Sequence, residues 1–410
     1  MNLMKRSVSP LFVLFLTIFI DLLGFGLIIP ILPIYAKQIG ADGFTIGLIA
    51  GSFSLMQFLF ASFWGGLSDR YGRRPIILSA ITVMAFSYFL FAHATTLWLL
   101  LLSRILSGIG GANLSAAQAY ISDVTPVERR TKAFGILGAA FGLGFIFGPP
   151  LGGFLKENYG LPYVGYAAMA FCLVNLISAY FFLPESNKDP EKGSRIFPNP
   201  FGDIFRSLRR DLIRELLMIN FVFIVAFSLM QVTAALMWEE HYELSEAEVG
   251  YVFAYIGVLA VIIQGGLIGK INKWLGEKKM LTYGVLLMGT GLTLMPFVPK
   301  DLFIPLELLC LLLISLGVAF LTPTINSVLS QVAEKKEQGK ILGINQSFGS
   351  LARFLGPLVG GSVYGIGYRY PYILSGIIMA LVFGMALSLI RKLESQGVLG
   401  TVRESETSET

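Results

Sequence analysis

One carboxylate lies in the middle of an otherwise apolar stretch near the start of the chain. Asp21 comes 15 positions after Arg6 and 16 before Lys37, with no other charged residue between them. Burial disfavours the ionised form of a carboxyl group, whereas a nearby arginine favours it. A carboxyl group that exchanges these environments can take up a proton on one side of a barrier and release it on the other. Asp21 is therefore a candidate proton-coupling residue.

A second charged candidate, Arg104, begins a row of polar and small residues spaced by three and four positions, which places them on one face of a helix. The row consists of Arg104, Gly108, Gly111, Ser115, Gln118 and Ser122. An arginine in hydrocarbon costs from a few to more than about 10 kcal/mol, so it should face a cavity or a partner. We predict that Arg104 pairs with Asp21. The alternatives are a permanent structural pairing of Asp21 with an arginine or with Thr17, and an Arg104 side chain that extends to the outer surface.

The composition indicates that the apolar stretches cross a membrane. Hydrophobic residues make up 55% and charged residues 14% of the 410 positions, and the mean hydropathy is +0.71. A helix needs about 20 residues to cross a hydrocarbon core of roughly 30 Å. Twelve spans are predicted, at 10–36, 45–67, 76–95, 97–121, 132–155, 163–183, 214–238, 247–268, 280–298, 302–328, 341–363 and 371–391.

Basic residues set the predicted orientation, because loops rich in Lys and Arg stay on the cytoplasmic side. Of the 31 Lys and Arg residues, 25 fall in the segments that lie on the same side as both termini, and four fall in the opposite loops. Both termini are therefore predicted to be cytoplasmic. The basic charge balance reflects this orientation and does not indicate nucleic-acid binding. The first span lacks a small-residue cleavage site and is predicted to remain uncleaved.

The second half of the chain repeats the first. The segment "SDVTPVERRTKAFGI" (122–136) aligns with "SQVAEKKEQGKILGI" (330–344), and Gly148-Pro149 aligns with Gly356-Pro357 at the same offset of 208. Six spans in each half then have the same orientation, which is a parallel repeat. The predicted fold is an all-α polytopic membrane protein with two pseudo-symmetric six-helix bundles.

The predicted bundles occupy residues 1–183 and 214–392. The linker between them, 184–213, is polar, interrupted by prolines and predicted to be cytoplasmic. It contains either a short amphipathic helix on the inner leaflet or a solvated connection. The acidic tail, 393–410, is predicted to be disordered.

The segment "GGLSDRYGRRP" (65–75) joins spans 2 and 3. Gly72 suits the reversal of the chain, and Arg70, Arg73 and Arg74 suit a loop that stays on the cytoplasmic side. Asp69 serves neither purpose, so we expect it to make a specific contact.

This string closely resembles the signature of the major facilitator superfamily. Three further stretches look like motifs of the twelve-span drug/proton antiporters in that superfamily, and tetracycline/proton antiporters are the nearest relatives they suggest. These stretches are Asp21 through Pro30 and Pro33 in span 1, "RILSGIGGA" (104–112) in span 4 and "GLGFIFGPPLGG" (142–153) in span 5. With the duplicated layout, the resemblance covers nearly the whole chain.

The resemblance implies a cytoplasmic gate in which Asp69 caps the N-terminus of span 11 while Arg73 pairs with Asp123. The expected gate residues are Gly65, Asp69, Arg70, Gly72, Arg73 and Asp123. In the repeat, Lys273 stands at the position that matches Asp69, so we expect the gating to be asymmetric.

The span 5 motif contains Gly144, Gly148, Pro149, Gly152 and Gly153. In the same span a groove that lets another helix approach closely is predicted from Gly135, Gly138, Gly142, Pro149 and Gly153. The resemblance adds a role in antiport, in which this segment bends and seals the protein against leak.

The candidate substrate cavity combines aromatic and uncharged polar side chains, which suits an amphipathic, aromatic compound. Its predicted residues are Phe25, Phe53, Gln57, Asn113, Gln118, Phe141, Gln231 and Gln264. Glu307, about five residues into span 10, is a further acidic candidate for proton coupling or a residue of the outer interface, with Arg353 as a possible counter-charge. Met288 and Glu243 stand where tetracycline exporters carry an aspartate and a histidine, which favours a different drug-like substrate.

The sequence therefore predicts a secondary transporter of the plasma membrane that exports small hydrophobic compounds by proton antiport and alternating access. Export of a native metabolite or lipid and proton-coupled uptake are the alternatives. The chain has no H-E-x-x-H, G-x-S-x-G or G-x-x-x-x-G-K-[ST] string, so we expect neither an enzyme nor an ATPase. Cys172 and Cys310 have no Cys or His at ligand spacing, so no metal or other cofactor is expected. The expected partners are the substrate, protons and membrane lipid, with a monomer as the functional unit.

Overall fold

The computed structural model describes residues 10–125, 130–187, 204, 206–334 and 337–395. Within these residues the regular elements are helices, without strands. The α-helices of the first half are α1 (Pro10–Ile28), α2 (Ile31–Gln38), α3 (Gly43–Tyr71), α4 (Arg73–Ala92), α5 (Leu97–Gly111), α6 (Leu114–Val124), α7 (Arg130–Tyr159) and α8 (Leu161–Phe182). The second half contributes α9 (Asp211–Glu240), α10 (Glu246–Ile262), α11 (Ile268–Leu294), α12 (Phe303–Val332), α13 (Gln338–Tyr364) and α14 (Tyr370–Ser395).

Nine helical stretches of the described residues are long and apolar enough to cross a membrane. One of them, Glu246–Phe297, has 52 residues and changes to a π-helix at Ile263–Leu267. It covers two of the predicted spans, the eighth and the ninth. Helices α7 and α13 cover the predicted spans 5 and 11 without being among the nine. The count of twelve spans stays a prediction.

Polar residues at the loop ends explain where several helices begin. Asp42 precedes α3, and its carboxylate accepts a hydrogen bond of 2.8 Å from the backbone N–H of Thr45. Hydrogen bonding with the side chain and then with the backbone of Thr45 holds the pKa of Asp42 below its ordinary value. Thr96 caps α5 in the same manner. Between α3 and α4 the chain reverses at Gly72, whose φ of 100° lies in the region that favours glycine.

The described contacts divide the chain into two compact units. The first consists of residues 1–198 and 234–261, and the second of residues 199–233 and 262–410. In the first unit, α1 packs along α7 and α8, and α4 packs between α5 and α8. The predicted bundle boundaries stay a prediction.

In the second unit, α11 packs against α12 and α14. Small residues permit the close approach of α11 and α12, since a methyl group added to Gly317 would lie 2.7 Å from the carbonyl oxygen of Gly284. The predicted amphipathic linker helix and the acidic tail fall largely outside the described residues.

Candidate functional site

Asp21 lies at the middle of α1, half-buried within the first unit. The Nδ2 amide of Asn113 is 3.5 Å from Asp21 Oδ2 and donates a long hydrogen bond to it. Asp21 Oδ1 is buried and accepts no hydrogen bond from any residue that the structure describes. Asn113 lies in the two-residue turn between α5 and α6. The carboxylate therefore has one weak polar contact, and its ionised form is poorly stabilised at this place.

Arg104 is 2% exposed, and its guanidinium group lies 5.0 Å from the centre of the Phe53 ring. Its Nη1 atom is 3.5 Å from Ser107 Oγ, and its buried Nε atom has no hydrogen bond to the described part of the chain. Within the described residues no ion pair joins Arg104 to Asp21, so the structure does not bring this predicted pair together. The positive charge is instead attracted by the ring face of Phe53.

Two of the predicted cavity aromatics are in contact. The ring centroids of Phe25 and Phe53 are 4.8 Å apart, and Phe145 packs edge-on against Phe25 at 6.3 Å. A methyl group added to Gly108 would lie 2.9 Å from the Phe53 Cα atom, so α3 and α5 approach closely there. Gln57 adds a hydrogen bond of 3.2 Å to the Gly111 carbonyl.

Two further residues near Asp21 were missed by the sequence reasoning. Tyr88 of α4 is 1% exposed, and its hydroxyl would lie 2.7 Å from a methyl group added to Gly24, one turn after Asp21. Asn175 of α8 is fully buried, and its Oδ1 atom accepts a hydrogen bond of 3.0 Å from Thr17. Thr17 thus contacts Asn175 in preference to Asp21. The signal for both residues was a polar group inside an otherwise apolar span.

The remaining cavity candidates are spread over both units. Gln118 is exposed in the first unit, whereas Gln231 is half-buried and Gln264 exposed in the second. The side chain of Phe141 lies outside the described part of the structure. Glu307 is fully buried in α12.

Arg353, the predicted counter-charge of Glu307, lies in α13 of the second unit. Its Nη2 atom donates to Ser350 Oγ, one turn earlier in the same helix, at 3.2 Å. The roles of Glu307 and Arg353 stay predictions.

Arg73 is the centre of the predicted cytoplasmic gate. Its Nε atom donates to Asp123 Oδ2 at 3.1 Å, and its Nη1 atom donates to Asp69 Oδ1 and, at 2.7 Å, to Ser68 Oγ. The contact between Arg73 and Asp123 expected from the motif is therefore present. Together, the contacts of Arg73 join the start of α4 to the ends of α3 and α6.

The other gate residues have smaller contacts. The Arg70 guanidinium group lies 5.5 Å from the Tyr71 ring centre, and a methyl group added to Gly65 would reach Ser115 Oγ at 3.8 Å. The sequence reasoning assigned 184–187 to the linker and missed that these residues contact the gate. The carboxylate of Glu185, placed directly after span 6, was the available signal.

The glycines of the span 5 motif face two neighbouring helices. A methyl group added to Gly148 would lie 2.8 Å from the Gly26 Cα atom in α1, and Gly144 and Gly152 also face α1. On another side of α7, a methyl group added to Gly153 would lie 2.8 Å from the Ala247 Cα atom in α10. The motif glycines therefore pack against α1 on one side and α10 on the other.

Comparison with known proteins gives similarities over nearly the whole chain. A family model described as the Major Facilitator Superfamily matches residues 14–302 and 267–407. Multidrug resistance protein 2 of Bacillus subtilis (strain 168) is 29% identical over 398 residues, covering 95% of this chain and 98% of that protein. The class C tetracycline resistance protein of Escherichia coli is 31% identical over 398 residues, covering 94% and 98%. The crystal structure of the human organic anion transporter MFSD10 (TETRAN) has a TM-score of 0.70 at 26% identity, covering 93% of this chain and 100% of that one.

Proposed function

The chain belongs to the Major Facilitator Superfamily, and from this premise we propose that it is a proton-coupled exporter of small hydrophobic or amphipathic drug-like compounds. It is a multi-pass membrane transporter and not an enzyme. Its multidrug and tetracycline resistance relatives, both bacterial, support drug efflux across a bacterial plasma membrane. The proton gradient, without a bound cofactor, supplies the energy.

The single observation that carries the coupling proposal is the environment of Asp21. One carboxylate oxygen has a long hydrogen bond from Asn113, and the other is buried without a hydrogen bond. A buried carboxylate so weakly compensated is readily protonated, and exposure to water favours its release of the proton. Asp21 therefore takes up a proton when it faces the outside and releases it when it faces the cytoplasm.

Arg104 and the aromatic pair supply the substrate side of this mechanism. The stacked rings of Phe25 and Phe53 offer a flat apolar contact, and Arg104 keeps a positive charge beside them. Amphipathic compounds with an aromatic body can bind to such a surface through stacking and through one polar group. The Arg73 gate then closes the cytoplasmic side while the substrate leaves on the other.

The proposal is tested in inside-out membrane vesicles, in which the lumen corresponds to the outside of the cell. An acidic lumen should drive accumulation of at least one compound from a panel of drug-like molecules, and Asp21→Asn should abolish the proton-driven part. The matched control is Asp42→Asn at an exposed helix cap, where asparagine is an equally good cap. Proton antiport would be refuted if accumulation of every compound were independent of the pH gradient. It would also be refuted if proton-driven accumulation were unchanged in Asp21→Asn.

A further inference from the structure

Residues 184–187, directly after α8, lie against the turn between α3 and α4. Glu185 Oε1 accepts a hydrogen bond of 2.8 Å from the backbone N–H of Arg73, and Glu185 Oε2 accepts one of 3.1 Å from the backbone N–H of Arg74. Arg73 and Arg74 are the first two residues of α4, and such N–H groups have no partner inside their own helix. Glu185 therefore caps α4 from the end of a different helix.

The rest of the segment holds other parts of the gate. Ser186 Oγ donates to Asp123 Oδ2 at 2.9 Å, and Asn187 Nδ2 donates to the carbonyl oxygen of Asp69 at 3.1 Å. The Pro184 carbonyl accepts a hydrogen bond of 3.0 Å from the Tyr120 hydroxyl of α6. Each residue from 184 to 187 thus makes a hydrogen bond to the gate or to a helix that carries it.

The geometry divides Arg73 between two sets of acidic partners. Its backbone N–H donates a hydrogen bond to Glu185, whereas its guanidinium group forms ion pairs with Asp69 and Asp123. The first turn of α4 fixes where the arginine side chain begins, so the Glu185 cap determines whether the guanidinium group reaches both aspartates. A carboxylate at a helix N-terminus is also favoured by the helix dipole, which strengthens the cap.

The repeat of this turn in the second half is covered differently. Gly276 has a φ of 71° and matches the turn at Gly72, but a methyl group added to it would meet no described atom within 4 Å. At Gly72 the same added group would lie 2.5 Å from Glu185 Oε2. Glu394, at the end of α14, instead pairs with the side chain of Lys278, two residues after Gly276. Within the described residues, a carboxylate therefore caps the backbone N–H groups of this turn in the first half and not in the second.

We propose that residues 184–187 form a strap that holds the Asp69–Arg73–Asp123 gate together, with Glu185 as its positioning residue. Loss of the Glu185 cap therefore loosens the first turn of α4 and releases Arg73 from its aspartates. The proposal rests on the proposed gating function of the motif.

The test measures gate opening without any substrate. Ala117, buried on α6, is replaced in Ala117→Cys, in a background with Cys172→Ala and Cys310→Ala. The rate of labelling by a membrane-impermeant maleimide added from the cytoplasmic side is then measured. Glu185→Ala should raise this rate about fivefold, because two charge-assisted hydrogen bonds are lost. Glu185→Gln, which keeps one acceptor oxygen, should give an intermediate rate.

The control is Glu394→Gln, a cytoplasmic carboxylate in an exposed ion pair with Lys278 of the second unit, which should leave labelling unchanged. If Glu185→Ala fails to fold, as judged by its melting temperature in detergent, Ser186→Ala and Asn187→Ala each remove one strap hydrogen bond in its place. Wild-type labelling rates in all folded strap variants would overturn the proposal.

Transport measurements separate the strap from the proposed function. If the wild-type protein shows proton-driven transport, Glu185→Ala should lower kcat more than it changes KM, because the strap contacts the gate and not the substrate. If the wild-type protein shows no such transport, the proposed function is wrong. The labelling experiment still tests whether the strap holds the gate together.

Discussion

At the scale of single residues, the hydrogen bond to Asp21 is the contact most open to direct test. Asn113 is the one described residue that donates to this carboxylate, and it does so from a break between two helices. The donor favours the ionised form over the protonated form, so it assists proton release toward the cytoplasm. We therefore propose that Asn113 belongs to the coupling site as well as to the predicted cavity.

We expect Asn113→Ala to lower proton-driven transport about tenfold. A hydrogen bond to a charged group contributes about 1.5–3 kcal/mol, and the length of this one places it at the lower end of that range. The measurement is the initial rate of substrate accumulation at a fixed pH gradient. Asn158→Ala, which removes an exposed amide bonded within its own helix, is the matched control. Equal rates for the two variants would remove Asn113 from the coupling site.

At the scale of helices, close packing of α1 on α7 depends on glycines that meet backbone and not flexible side chains. The three atoms nearest to a methyl group on Gly148 are Gly26 Cα, the Gly26 carbonyl carbon and the Leu23 carbonyl oxygen, at 2.8 to 2.9 Å. Backbone atoms of a packed helix cannot move aside without moving the helix. The span 5 motif is therefore a structural requirement of the first unit, whatever else it does in antiport.

Gly148→Ala should lower the free energy of unfolding by about 1–3 kcal/mol, the usual cost of overpacking. Gly384→Ala in α14 is the matched control, because a methyl group there meets no described atom within 4 Å. That substitution should be neutral or stabilising by up to about 1 kcal/mol, since alanine has a higher helix propensity than glycine. Thermal unfolding in detergent distinguishes the two. A Gly148→Ala protein as stable as the control would contradict the packing argument.

Hydropathy predicted most of these helices, because each apolar run is long enough to form one. The predicted span 163–183 matches α8 closely, because the apolar run and its boundaries coincide. The predicted span 97–121 lies within the helical stretch Leu97–Val124, which is long and apolar enough to cross a membrane. The turn at Ala112 and Asn113, which separates α5 from α6, leaves no sign in the apolar run. The pairing of Asp21 with Arg104 stays a prediction. The described contact of Asp21 is with Asn113, because which side chain of span 4 reaches span 1 depends on how the helices are rotated.

At the scale of the whole molecule, the first unit is held at its predicted outer side by contacts between residues far apart in sequence. Lys156 at the end of α7 forms an ion pair of 2.9 Å with Glu246 at the start of α10, and both side chains are 14% exposed. The neighbouring Glu157 accepts a hydrogen bond of 3.1 Å from the backbone N–H of Ala247. Alternating access requires an outer opening, so we expect these contacts to break and re-form in each cycle.

Reversing one charge of the Lys156–Glu246 pair should therefore slow transport and destabilise the form that is closed on the outer side. Reversing both charges should restore much of the transport rate and of the stability. Lys156→Glu and Glu246→Lys each place like charges together at a poorly hydrated position, where repulsion is weakly screened. The double variant Lys156→Glu with Glu246→Lys recreates an attractive pair. The measurements are transport rate and melting temperature, combined as a double-mutant cycle.

The exposed pair of Lys37 and Glu240 provides the comparison, with side chains 48% and 33% exposed. Exposed pairs contribute about 0–1 kcal/mol, so its cycle should give a smaller coupling energy than that of Lys156 and Glu246. High salt should weaken the exposed pair more than the half-buried one. Additive effects of Lys156→Glu and Glu246→Lys would mean that this ion pair does not hold the outer ends of α7 and α10 together. The backbone contacts of Gly153 and the helix cap from Glu157 would then be sufficient to do so.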